Sequence, residues 1–114
     1  MLGSGAVIVM AEGTNLLAAA TNVLRFFRNE SCGKCVPCRV GSHKAHAMLS
    51  ELVEQGKGAD AVPEKITQLE ETLRLTSICG LGQVALGPVL SVLGMDRGAT
   101  EARAHPKDRE DTET

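Results

Sequence analysis

The tightest constraint on this chain is the placing of its four cysteines. Three lie in Ser31-Cys32-Gly33-Lys34-Cys35-Val36-Pro37-Cys38-Arg39, spaced C-x2-C-x2-C, and the fourth is Cys79 in Ser77-Ile78-Cys79-Gly80-Leu81-Gly82-Gln83. The sequence contains no others. Three thiolates on a tight loop and one from a remote segment is a way four-cysteine iron–sulfur sites are assembled. Whatever fold forms must therefore bring residue 79 to the 32–38 loop. Disulfide pairing suits the pattern poorly, because cysteines three positions apart in a glycine-bearing loop fit a metal or redox site better. Structural zinc is the stronger rival, since four cysteines are a standard zinc set. Zinc usually takes two separate C-x2-C knuckles, whereas here three ligands cluster and one stands alone. The spacing favours iron–sulfur and leaves zinc as the alternative.

A chain of 114 residues builds one domain with a modest core. With no Trp or Tyr, and only Phe26 and Phe27, aliphatic packing must carry that core. A metal centre is then an expected staple. The net charge of -2 gives no electrostatic reason to expect nucleic acid, and no basic stripe supports a DNA-binding helical domain. No apolar run approaches the roughly 20 residues of a membrane span, so no transmembrane segment is expected. The start of the chain lacks a basic region and carries Glu12, so no signal peptide is expected. Four thiols holding a metal fit a reducing, cytoplasmic compartment.

Ala6 to Met10 is a short apolar run between glycines and reads as a buried β-strand. It is an orphan, because no second strand pattern occurs, and it needs a sheet from elsewhere to pair with. Residues 14–29 read as a helix capped by Thr14 or Asn15, with Leu16, Leu17, Ala20, Val23, Leu24 and Phe27 on one face. Pro37 opens a second helix running to about Gln55, with Ala45, Met48, Leu49, Leu52 and Val53 as its core stripe. Cys38 then falls in a first turn whose free N–H groups and dipole favour an anionic cluster. Lys34 and Arg39 add positive charge beside it. His43 and His46 read as ordinary helix-surface residues, since four cysteines already complete a ligand set. Gly56 to Asp60 makes a turn, and Pro63 opens a third helix to about Leu75, with Ile66, Leu69 and Leu73 inward and Glu70 pairing with Arg74. Gly80 and Gly82 let the backbone wrap closely around a large inorganic group. Pro88 opens a short helix with Val89, Leu90, Val92 and Leu93 inward and Gly94 as its stop.

The expected fold class is all-α: a small bundle of about four helices holding an iron–sulfur cluster, preceded by one orphan β-strand. The expected organisation is an edge strand over residues 1–13, a helical cluster-binding domain over 14–96, and a charged, disordered tail over 97–114. No phosphate loop, dinucleotide fingerprint or nucleophile elbow is present. No nucleophile, base and orienting group can be assembled, so no catalytic residue is expected.

Three stretches together carry a family resemblance: residues 2–10, Glu30 to Gly41, and Ile78 to Gln83 with Pro88-Val89-Leu90-Ser91. They resemble the C-terminal part of the NADH-binding flavoprotein subunit of complex I. The relatives in that family include the flavin-bearing β subunits of NAD-dependent formate dehydrogenases and NAD-reducing hydrogenases, and Ile-Cys-Gly-Leu-Gly-Gln looks more like that branch. The resemblance runs to about residue 94. It implies that Cys32, Cys35, Cys38 and Cys79 bind a 4Fe–4S cluster taking electrons one at a time from FMN, which NADH reduces. It also implies a ubiquitin-like domain before this one, of which residues 1–13 resemble the last edge. FMN and NAD are expected on a missing or partner domain, since none of their binding residues is present here. Expected partners are the other parts of an oxidoreductase complex: the flavin/NADH-binding part, a 2Fe–2S subunit and a catalytic subunit.

Overall fold

Asn15 starts the first helix by accepting a hydrogen bond from the Ala18 N–H at 3.0 Å, an N-cap of the ordinary kind. In the computed structural model, which describes residues 7–94, helix α1 spans Leu16–Glu30. Leu17, Ala20 and Leu24, one helical turn apart, form its buried stripe. Helix α2 spans Val36–Glu54 and follows after a five-residue loop. It ends as its sequence requires. Gly56 adopts φ +69°, its N–H reaches the Val53 carbonyl at 3.1 Å, and the Lys57 N–H reaches that of Leu52 at 3.0 Å. This is the paired closure of a glycine C-cap, in which the left-handed residue turns the chain back on the last carbonyls.

A 3₁₀ turn at Ala59–Ala61 leads to helix α3, Lys65–Thr76, which carries the expected Glu70–Arg74 pair at 3.2 Å. Helix α4 is short, Gly80–Val84, and residues 87–94 form a further helical stretch, α5. α1 packs on α2, α2 on α3, and α3 on α4. The core joins α1 to Ala45 and Leu49 of α2, Ile66 and Leu73 of α3, and Ala85, Leu86 and Val89 beyond α4. Phe27, Met48, Leu52, Val53, Leu69, Leu90, Val92 and Leu93 close over it, so the apolar faces expected from periodicity pack, except that Leu16 and Val23 of α1 are only half-buried and stand outside this cluster. Gly41 sets the α2–α3 spacing. A Cβ there would stand 2.5 Å from Leu73 Cδ1, inside any real contact distance.

Two features depart from the sequence reading. Residues 7–10 take no strand conformation, and Val7, Ile8 and Val9 are exposed. A strand exists through its ladder, and no described residue offers an edge to pair with. Ala6, the first residue of that expected strand, and the tail expected at 97–114 lie outside the described residues. The second departure is α4, formed by residues expected to be a glycine-rich wrapping loop. Two glycines in five residues give no propensity signal for a helix there.

His46 is half-buried on α2, and its Nδ1 lies 3.1 Å from Arg28 Nη1 of α1. Burial, and then the charges of Arg28, Arg25 and His43, lower its pKa below the usual histidine value. The neutral ring is thus favoured in the fold, while the unfolded chain takes up the proton more readily. This contribution to stability is whole above about pH 6.5 and is lost as pH falls through the lowered native value. His46→Gln should flatten the pH dependence of the melting temperature below about pH 6.5 and leave it unchanged above that.

Leu73 and Leu75 provide a second test, being two residues apart on α3 with 1% and 67% exposure. Leu73→Ala should cost about 2–5 kcal/mol. Leu75→Ala should stay within about 0.5 kcal/mol of the parent. Chemical denaturation followed by circular dichroism measures both.

Candidate metal centre

The centre is built from two chain segments, each leaving a helix at a serine. Ser31 is the C-cap of α1, its N–H closing on the Phe27 carbonyl at 3.1 Å. The loop then turns through Gly33 at φ +79°, a left-handed conformation that favours glycine. Ser31 Oγ accepts from the Gly33 N–H at 3.3 Å and lies 3.3 Å from Cys38 Sγ. Cys35 is the N-cap of α2, and Pro37 sits in its first turn, where a missing N–H costs nothing. Cys38, in that same turn, is buried, while Cys32 is exposed and Cys35 half-buried. The first-turn N–H groups have no partner within the helix, so positive potential gathers where Cys38 sits.

On the other side, Ser77 is the C-cap of α3 and Cys79 the N-cap of α4. The connection is held by Gln83, whose Nε2 donates to the Ser77 carbonyl at 3.0 Å. Gly82 allows the close approach. A Cβ added there would meet Ser77 Cβ at 2.6 Å and Cys38 Cβ at 3.2 Å. The glycine expected to wrap a cofactor thus also serves the packing of α4 against both cysteine segments.

Cys32, Cys35, Cys38 and Cys79 all line one cleft of about 150 Å³ between these segments. The fold therefore brings Cys79 to the loop, as the spacing demands. Glu30, Lys34, Ile78 and Leu81 line it as well. Among the described residues, no three Cys, His, Asp or Glu side chains are drawn together as one small metal ion requires. The four thiols line this one cleft, and soft sulfur donors of this kind suit an iron–sulfur group. The side chain of Ser77 adds to the fit, because its buried Oγ has no hydrogen-bond partner among the described residues.

The two basic residues expected beside the site separate. Lys34 lines the cleft. Arg39 is not part of its lining and instead donates from Nη1 to the Gly33 carbonyl, bracing the loop from outside. His43 is exposed and His46 packs toward α1, so neither enters the centre. Ser31 and Ser77 are the polar groups that sequence patterning did not single out. The one signal for them was position, each lying just ahead of a cysteine.

Residues 18–103 match the family described as the NADH-ubiquinone oxidoreductase-F iron–sulfur binding region. The NADP-reducing hydrogenase subunit HndC of Solidesulfovibrio fructosivorans is 38% identical over 96% of this chain and 22% of its own length. The mitochondrial NADH-ubiquinone oxidoreductase 51 kDa subunit of Neurospora crassa is 32% identical over 90% of this chain and 20% of its own. The mitochondrial NADH dehydrogenase [ubiquinone] flavoprotein 1 of Dictyostelium discoideum is 37% identical over 90% of this chain and 21% of its own. The chain thus spans about a fifth of the length of these relatives.

Gly82→Ala tests the geometry of the centre. Overpacking against Ser77 and Cys38 costs about 1–3 kcal/mol, outweighing at most about 1 kcal/mol of improved helix propensity. A lower melting temperature and less bound metal per chain are expected, measured by thermal melts and metal analysis.

Proposed function

The chain belongs to the NADH-ubiquinone oxidoreductase-F iron–sulfur binding region family, and on that footing we propose that it is the electron relay of an NADH-linked oxidoreductase. In this reading Cys32, Cys35, Cys38 and Cys79 are the ligands of its 4Fe–4S cluster. The observation that carries it is the meeting of all four cysteines, from two remote segments, along one cleft. The cluster supplies a centre that gains and loses one electron without bonds being made or broken. The residues of this chain hold it, place it and tune it. The first turn of α2 sets N–H groups beside Cys38, Lys34 brings positive charge to the rim, and Arg39 braces the loop.

Residues 14–96 are the cluster-binding unit, and residues 1–13 belong to the edge of a preceding domain. FMN and NAD bind elsewhere, on a further domain or a partner subunit, and electrons pass onward to other iron–sulfur centres. The names of the relatives, a hydrogenase subunit and an oxidoreductase subunit, support a place in a multi-subunit complex. No described helix is long and apolar enough to cross a membrane. The exposure of Val7, Ile8 and Val9 supports a neighbouring sheet that covers them.

Anaerobically purified protein should contain about four iron and four sulfide per chain and accept an electron from dithionite, giving a paramagnetic signal. Zinc without sulfide would establish the structural zinc module instead. Cys79→Ser should lose or degrade the cluster and lower the melting temperature, because that ligand ties the α3–α4 junction to the α1–α2 loop. Unchanged iron content in Cys79→Ser would remove Cys79 from the ligand set.

A further inference from the structure

Ser77 occupies an unusual position for a polar side chain. It is 6% exposed, and both of its backbone groups are satisfied. Its N–H donates to the Leu73 carbonyl at 3.0 Å, and its own carbonyl accepts from Gln83 Nε2, also at 3.0 Å. Only the hydroxyl lacks a partner among the described residues. Burying such a group unpaired is unfavourable, and each case calls for an explanation. Ser77 lines the same cleft as the four cysteines, and Gly82 packs closely against its side chain.

The other segment shows what a serine does here. Ser31 Oγ already accepts from the Gly33 N–H, and Cys38 Sγ is 3.3 Å away. A ligating thiolate carries no proton, so the hydrogen in that contact is the serine's and the sulfur is the acceptor. Ser31 and Ser77 hold equivalent places, each the C-cap of a helix that leads into a cysteine segment.

We propose that Ser77 is a positioning and tuning residue whose hydroxyl donates a hydrogen bond to a sulfur of the bound cluster, as Ser31 does to Cys38 Sγ. This rests on the relay reading above. The two serines then approach the centre from opposite segments. One-electron reduction adds a negative charge to the cluster and transfers no atom. A hydroxyl donor stabilises that charge and raises the reduction potential. The same bond satisfies the hydroxyl that the described residues leave unpaired, so cluster binding completes the hydrogen bonding of the α3–α4 junction.

The test compares the full cluster-bearing chain with Ser77→Ala and Ser77→Thr. Iron and sulfide content, the midpoint potential and the exchangeable-proton couplings of the reduced cluster are measured in each. Ser77→Ala should keep the parent's iron and sulfide, shift the midpoint to lower potential and lose an exchangeable coupling. Ser77→Thr retains the hydroxyl and should retain both the coupling and the parent's midpoint. A Ser77→Ala protein with full cluster and unchanged midpoint and couplings overturns the role of Ser77 while leaving the relay reading intact. If Ser77→Ala fails to hold its cluster, Ser77→Thr decides, and a missing exchangeable coupling there overturns the proposal. A parent chain without iron and sulfide overturns the relay reading, and the role of Ser77 with it.

Discussion

The convergence of two remote chain segments on one sulfur-lined cleft is the constraint on which the structure depends. One segment follows α1 and carries three cysteines, and the other follows α3 and carries the fourth. Holding them together requires α1, α2 and α3 to pack with little slack. The core supplies this with small and branched aliphatic residues: Ala20 and Leu24, Ala45 and Leu49, Ile66 and Leu73. Gly41 lets α2 approach Leu73, and Gly82 lets α4 approach Ser77 and Cys38. Both glycines exchange helix propensity for proximity, a cost that close packing around the cleft offsets.

The polar groups around the cleft divide into those that shape it and those that face it. Arg39 and Gln83 shape it. One braces the Gly33 carbonyl and the other the Ser77 carbonyl, so each cysteine segment has a long side chain fixing its backbone. Lys34, Ser31 and Ser77 face it. Such outer groups orient the ligands of a metal centre and adjust its electronics, and their placement is as much part of the site as the thiols. The relay proposed above needs little else. It makes no bonds, and so it requires no acid, base or nucleophile beside the centre.

The opening arm and the cleft point to the same conclusion from different ends. Residues 7–9 are apolar and exposed, and the chain covers only about a fifth of its relatives' length. A β-branched run in that state is suited to a ladder that other residues complete. The relay proposed above likewise draws its donor and its acceptor from outside these residues.

Much of this was legible in the sequence, because the signals were local. Cysteine spacing called for Cys79 to meet the 32–38 loop, and the four line one cleft; Pro37 placed the start of α2, Gly56 its end, and apolar periodicity chose Leu24, Leu49, Ile66 and Leu73 for the core. Tertiary structure settled what depends on packing between segments. It made a helix of Gly80–Val84, where propensity offers none, by fitting Gly82 against Ser77. It turned Arg39 to the loop backbone and left Lys34 at the cleft, a choice that charge alone cannot make. It buried the Ser77 hydroxyl beside the thiols, although a lone serine carries no pattern. It also left residues 7–10 without a strand, since β structure requires a partner that spacing along one chain cannot provide.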